Sequence, residues 1–430
     1  MVARGAGPRY ARFVGLVLGV VIGLWSVGAE MMRAEENGVS TGAQVLADKG
    51  FRKLAGKRVG LIVNPVSRIG DDHLIDILHD IPDIDLVAVF GPEHGLRGTG
   101  FAGEEVVDAR DQRTGVPVYS LYGKTRKPLA EMLADIDVLV FDLQDVGARF
   151  YTYISTMGLA MQAAAETGTA FLVLDRPNPL GGDYVAGFGM DDKHRTFVGQ
   201  YDIPIAHGMT VGELALMIRG EKLLDGLEKL DLEVAEIKGW RRAMRWRDTG
   251  LTWIRPSPAI VDAETALVYA GTCFFEAASL SYGRGTDRPF RLIGAPWIDG
   301  SALAQSLTAR NLPGVKFEAV TFTPRFDGAK AFAPAYADEA VSGVRVDVVH
   351  VRGFQPLETG IHVLHAVREH AHAQGQGEVI DRPEWLAKLS GTDDLLRMLK
   401  DGKEPEAIIA AWRDNAAAFM KRRKPYLLYD

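Results

Sequence analysis

The chain predicts an α/β protein: a parallel-sheet domain followed by a smaller α+β domain. Three observations carry this. Short, almost wholly apolar runs alternate with helix-patterned segments between Lys57 and Asp175, and strands that are apolar on both sides need helices over both faces of their sheet. The element order changes beyond a Pro- and turn-rich stretch at Thr249–Asp262. The length of 430 residues exceeds what one core usually supports.

In chain order, "KRVGLIVN" (Lys57–Asn64) reads as a first strand and "DDHLIDILHDI" (Asp71–Ile81) as a helix capped by Asp71 or Asp72. "DLVAVF" (Asp85–Phe90) is a second strand, and "KPLAEMLADI" (Lys127–Ile136) a short helix. "DVLVFD" (Asp137–Asp142) is a third strand, Tyr151–Gly168 a long helix, and "AFLVLD" (Ala170–Asp175) a fourth strand. "TVGE" (Thr210–Glu213) has the pattern of a capping box opening a helix, and "DLEVAEI" (Asp231–Ile237) reads as one more strand. The second domain is expected to hold helices at 262–270 and 301–311 and strands at Val315–Phe322 and Gly343–Val351. A helix at Leu357–Ala373 and two C-terminal helices complete it. The expected division is a leader at residues 1–29, a sheet domain at 40–260 and the α+β domain at 261–430.

With 47% hydrophobic and 24% charged residues the chain is ordinary globular material. A formal charge of −7 and a pI near 5.9 exclude nucleic acid or an anionic membrane as the main partner. The N-terminus supplies Arg4, Arg9 and Arg12, then the uncharged "FVGLVLGVVIGLW", then small residues up to Ala29. Basic start, short apolar centre and small-residue exit are the parts of a secretory signal. The run is short for a membrane span, which takes about 20 residues, so an exported periplasmic or extracellular protein, without stable membrane insertion after cleavage, is expected. The lone Cys273 reads as packing.

The four strands exit into "NPVSR", "GPEHG", "DLQDVGARFYTY" and "DRPNPLGGD". Ligands of open parallel sheets bind beyond the carboxyl ends of the strands, which makes these loops one candidate site. The second of them runs on as "GPEHGLRGTG" (Gly91–Gly100), with four glycines in ten positions. It is not G-x-G-x-x-G, and neither a phosphate loop nor a G-x-S-x-G elbow occurs anywhere. The glycines suit close approach of backbone to a bulky polar ligand. Carboxylates Glu93, Asp142, Asp145 and Asp175, imidazoles His94 and His207, and guanidiniums Arg97, Arg149 and Arg176 gather here, with Asn64, Tyr151, Tyr153 and Asn178 beside them. Paired carboxylates suit glycoside hydrolysis, where one acid protonates the leaving oxygen and a second carboxylate assists. The aspartates equally suit caps and internal pairs with the arginines. His94 and His207 with Asp142 form a possible metal set that no spacing requires, and H-E-x-x-H is absent, so no metal and no cofactor are expected. Beyond the boundary, Arg284, flanked by Gly283 and Gly285, is expected to stand exposed and bind a carboxylate bidentately.

Taken together, "FGPEHGLRG", "FDLQDVGARFYTYISTM", "LDRPNPLGG", "VGQYDIPIAHGMTVGELA" and "GRGTDRPFRLIGAPW" resemble, in this order, the exo-β-N-acetylmuramidase (NamZ) family. The resemblance runs from about Phe51 to the C-terminus. It implies a Rossmann-like N-terminal domain, a smaller C-terminal domain and a site in the cleft between them. It also implies removal of terminal N-acetylmuramic acid from the non-reducing end of peptidoglycan fragments, with the catalytic glutamate at Glu93. The family pattern is often acidic before G-R-G-T and after R-P-F, where this chain has Tyr282 and Arg291. Two other readings stand beside hydrolysis: a non-catalytic muropeptide-binding protein, and a metal-dependent peptidoglycan amidase or deacetylase.

Overall fold

β-Branched and aromatic runs flanked by turn residues build the strands of the computed structural model, which describes residues 38–92, 96, 109–122, 125–326 and 333–430. The expected leader lies outside them, as do Glu93, His94 and Arg97. In chain order the strands are β1 (Lys57–Val63), β2 (Arg68–Ile69), β3 (Asp72–His73), β4 (Ile84–Gly91), β5 (Ala109–Arg110) and β6 (Pro117–Ser120). There follow β7 (Val138–Asp142), β8 (Ala170–Leu174), β9 (Leu232–Ala235), β10 (Leu292–Ala295), β11 (Val315–Phe322) and β12 (Val341–Val348). The main sheet has the order β5-β6-β4-β1-β7-β8-β9. All its pairs are parallel except β5 with β6.

The chain adds strands to one side of β1, returns, and adds the rest to the other side. β1 and β7 therefore flank the point where the order reverses, the place where such sheets open a ligand crevice. Alternation along β1 divides the core. Val59, Leu61 and Val63 pack under helices Gly42–Asp48 and Leu74–His79. Ile62, with Phe141 and Phe171 of neighbouring strands, packs under helices Tyr153–Thr167 and Val211–Gly220. That second core continues without a break into Phe274, Leu357 and Ile361 of the C-terminal half, where β10-β12-β11 form an antiparallel sheet.

Three expectations change. The helix expected from Asp71 begins at Leu74, because Gly70, at φ +59°, turns residues 68–73 into the β2–β3 hairpin. Its cap is His73, whose Nδ1 accepts the Ile75 N–H at 3.2 Å. Two C-terminal helices become four, Pro383–Ser390, Asp394–Lys400, Pro405–Ala411 and Arg413–Arg422, interrupted by left-handed Gly391 and by Pro405. Strands β5, β6 and β10, two to four residues long, add to those expected. No helix among the described residues is long and apolar enough to cross a membrane.

Helices Ala263–Thr272 and Pro356–Ala373 touch backbone to backbone: a Cβ on Gly271 would lie 1.9 Å from the Pro356 carbonyl oxygen. Neither backbone can yield locally. Gly271→Ala should therefore lower unfolding stability by at least the roughly 1–3 kcal/mol of ordinary overpacking, read from denaturant midpoints. An unchanged midpoint would show that the helices separate freely.

Candidate active site

Asn64, the first residue past β1, is fully buried. Its Oδ1 accepts the Val66 N–H at 3.1 Å, and its Nδ2 donates to the Tyr153 hydroxyl at 3.1 Å and to the Pro256 carbonyl at 3.4 Å. Tyr153 donates to the same carbonyl at 2.5 Å. Asn64 thus ties Pro256 to the sheet edge.

Asp142 and Arg176 are paired with each other. Nε of Arg176 meets Oδ1 at 2.6 Å and Nη2 meets Oδ2 at 2.9 Å, both residues being buried. A carboxylate whose two oxygens are held by a bidentate guanidinium is a poor acid, base or nucleophile. Asp175 is equally committed: Oδ1 accepts the Arg176 and Gly212 N–H groups, and Oδ2 accepts the Thr210 and Tyr429 hydroxyls. Asn178 bridges Leu180 N–H and the Met209 carbonyl.

Arg149 departs furthest from expectation. Its side chain is fully buried. Nη1 donates to the carbonyls of Phe188 and Ile203 at 2.8 and 2.6 Å, and Nη2 to those of Ser390 and Leu389 at 2.7 and 3.3 Å. Burial pulls its pKa down to about 9. It pins three separate backbone segments together, shut off from solvent.

What remains is Asp145 with His207 and Tyr151. Asp145 is 5% exposed. Its Oδ2 accepts the Gly147 N–H and lies 3.6 Å from His207 Nε2. The fully buried His207 accepts the Met209 N–H on Nδ1 at 3.2 Å, so its ring proton sits on Nε2, toward Asp145. Asp145 Oδ1, His207 Nε2 and Gln144 Oε1 have no hydrogen-bond partner among the described residues. Buried polar atoms left this way are costly to the fold unless water or a ligand meets them. The Tyr151 hydroxyl lies beside those of Ser257 and Tyr153 and near the Asp145 carboxylate.

An aromatic line leads from there into the C-terminal half. Tyr151 meets Tyr269 at 6.1 Å, Tyr269 meets Phe290 at 4.7 Å, and Phe290 stacks on Tyr282 at 5.4 Å. The Arg284 guanidinium lies 5.6 Å from the Phe290 ring and 5.7 Å from Tyr282. Arg284 was expected to stand free, but Nη2 pairs with Glu276 Oε1 at 3.0 Å and only a third of the side chain is exposed. Arg291 is a structural hub, reaching Glu264 at 2.7 Å and Asp347 at 3.1 Å. Cys273 is buried, and burial pushes its thiol pKa well up, which agrees with packing.

Glu93 and His94 lie outside the described residues. The strand preceding them, β4, ends at Gly91 between β1 and β6. Sequence reading missed Gln144, Ser257, Tyr269 and Glu276. Only Glu276 carried a signal, as an isolated acid inside "CFFEAA".

The arrangement defines a class: a Rossmann-like α/β protein with carboxylate, imidazole and aromatic groups at the carboxyl edge of its sheet. The family described as "Exo-beta-N-acetylmuramidase NamZ, N-terminal" matches residues 59–264, and its C-terminal counterpart matches residues 267–429. The peptidoglycan β-N-acetylmuramidase NamZ of Bacillus subtilis (strain 168) is 42% identical over 397 residues, covering 92% of each chain. Two solved DUF1343 family proteins of Bacteroides fragilis share the fold. One is 39% identical with a TM-score of 0.84, over 92% of this chain and all of that one. The other is 34% identical with a TM-score of 0.74, over 91% of this chain and 99% of that one. The chain belongs to the exo-β-N-acetylmuramidase NamZ family.

Asp175 supplies a test of the scaffold. Burial raises its carboxyl pKa from 3.8 to about 7, against the opposing hydrogen bonds from Tyr429, Gly212 and Thr210. A carboxyl raised on folding stabilises through its protonated form, fully below its unfolded pKa, and that contribution is lost as pH rises toward the folded value. Unfolding stability should therefore fall between pH 5 and pH 8 by more in the wild type than in Asp175→Asn, which cannot titrate. Equal slopes in denaturant titrations at the two pH values would remove Asp175 as the cause.

Proposed function

We propose that the chain is an exo-acting glycoside hydrolase that releases terminal N-acetylmuramic acid from the non-reducing end of peptidoglycan fragments. The observation that carries this is the 42% identity to a peptidoglycan β-N-acetylmuramidase over nearly the whole of both chains. The site chemistry agrees, with a buried carboxylate and imidazole that each keep one atom without a hydrogen-bond partner among the described residues. Residues 40–260 and 261–430 are proposed as its two domains, supported by their separate sheets. A secretory signal at residues 1–29, delivering the enzyme to the periplasm or exterior, fits a cell-wall substrate.

In this reading Glu93 donates a proton to the departing glycosidic oxygen as its bond to the anomeric carbon breaks. Water supplies the new bond to that carbon, and its proton passes to a carboxylate. Asp145, oriented by Gly147 N–H and faced by His207, is the second carboxylate of the pair. Arg284, held over Phe290 and Tyr282, reads the lactyl carboxylate that distinguishes muramic acid, exchanging part of its contact with Glu276.

Glu93→Gln keeps size and hydrogen-bonding reach but has no proton to donate. It should lower turnover of a natural disaccharide by about 10²- to 10⁴-fold or more. The loss should shrink on an activated phenyl glycoside, whose leaving group needs little protonation. Near-normal turnover of the disaccharide would remove Glu93 from the acid role.

Arg284→Ala should raise KM for muramic acid glycosides with little change in kcat, because a pair to the lactyl group forms in ground and transition states alike. A glucosaminide lacking that group is the comparison. Equal effects on both substrates would break the assignment.

A further inference from the structure

The C-terminal end of the chain is bonded to the loop that carries His207. Arg423, just past helix Arg413–Arg422, is 6% exposed. Its Nη1 donates to the His207 carbonyl at 3.1 Å and to the Gly208 carbonyl. Gly208 sits at φ +59°, and a Cβ there would lie 2.5 Å from that same Nη1. The guanidinium thus occupies space that only glycine leaves open. From the same stretch, the Leu428 N–H reaches Glu213 Oε1 at 2.9 Å, and Glu213 closes the capping box with Thr210.

The bonds of Nη1 run to carbonyl oxygens, which are neutral acceptors. Burying a cation against them is a poor source of stability compared with apolar packing. What the arrangement does achieve is a fixed His207–Gly208 peptide. With that peptide held from outside and Nδ1 held by Met209 N–H from within, the imidazole has one way to present Nε2–H to Asp145.

We propose that Arg423 is a positioning residue of the active site, clamping the His207–Gly208 peptide so that His207 faces Asp145. The proposal rests on the reading that Asp145 and His207 belong to the catalytic site.

The test uses the full chain, labelled with ¹⁵N at histidine, with His207 assigned by its own substitution. Arg423→Ala and Arg423→Lys are compared with Arg422→Ala, which removes the adjacent Glu221 pair and the bond to the Asp202 carbonyl but leaves the loop alone. Arg423→Ala should lower kcat by about 10- to 100-fold, the effect of a displaced group, with KM within about twofold. The His207 ring signals should leave the Nε2–H tautomer position, and Arg423→Lys should recover part of both. If Arg423→Ala does not fold, Arg423→Lys carries the same two measurements. Unmoved His207 signals would overturn the clamp whatever the rate. Moved signals with wild-type kcat would keep the clamp and overturn the catalytic reading of His207. A kcat loss no larger than that of Arg422→Ala would reduce Arg423 to ordinary scaffold.

Discussion

One ion pair holds the carboxyl edge of the sheet in register. Asp142 ends β7, Arg176 follows β8, and the same guanidinium donates to the Val66 carbonyl beyond β1 at 3.1 Å. Three strand ends are thereby joined at the point where strand order reverses. Removing one member of such a buried pair strands the other charge, typically at about 3–5 kcal/mol. The Ser67 hydroxyl bonds to the Asp142 carbonyl and Asn64 to Tyr153, so the loops after β1 and β7 are fixed by the same cluster.

This cluster explains why most polar residues at the strand ends are scaffold. A loop edge packed under a second half of the chain must satisfy its buried backbone and side-chain groups internally. Asn64, Arg149, Asp175, Arg176 and Asn178 do that, each spending its donors or acceptors on neighbouring segments. Asp145 Oδ1 and His207 Nε2 have no hydrogen-bond partner among the described residues, and the same is true of Gln144 Oε1, the Tyr151 hydroxyl and Arg149 Nε nearby.

The fold was largely legible in the sequence because it rests on local signals: apolar runs for β1, β4, β7 and β8 and the Thr210–Glu213 capping box. Strands β5 and β6 were not, since they are short and take their stability from pairing, β6 along β4 and β5 along β6. The parallel-sheet rule directs attention to the strand-end loops, but which of their polar residues are already paired was not legible. Asp142 and Asp145 stand three apart in one motif, yet one is sealed by Arg176 and the other open toward His207. That difference is set by Arg176, 34 residues beyond Asp142, and nothing in the local pattern encodes it. Arg284 looked free between two glycines, and its partner Glu276 lies eight residues earlier in an apolar segment.

The C-terminal half therefore acts on the sheet edge in two ways that its own small sheet does not suggest. It supplies surface, through Tyr269, Phe290, Tyr282 and the Arg284–Glu276 pair that extend the Tyr151 wall outward. It also supplies rigidity, through carbonyls of Leu389 and Ser390 that receive Arg149, and through Tyr429, which donates to Asp175. The contacts of Tyr151 with Tyr269, of Arg149 with Leu389 and Ser390, and of Tyr429 with Asp175 each join the two halves, so these form only once both are folded. An active site assembled this way depends on the whole chain, which is consistent with relatives that match it nearly end to end.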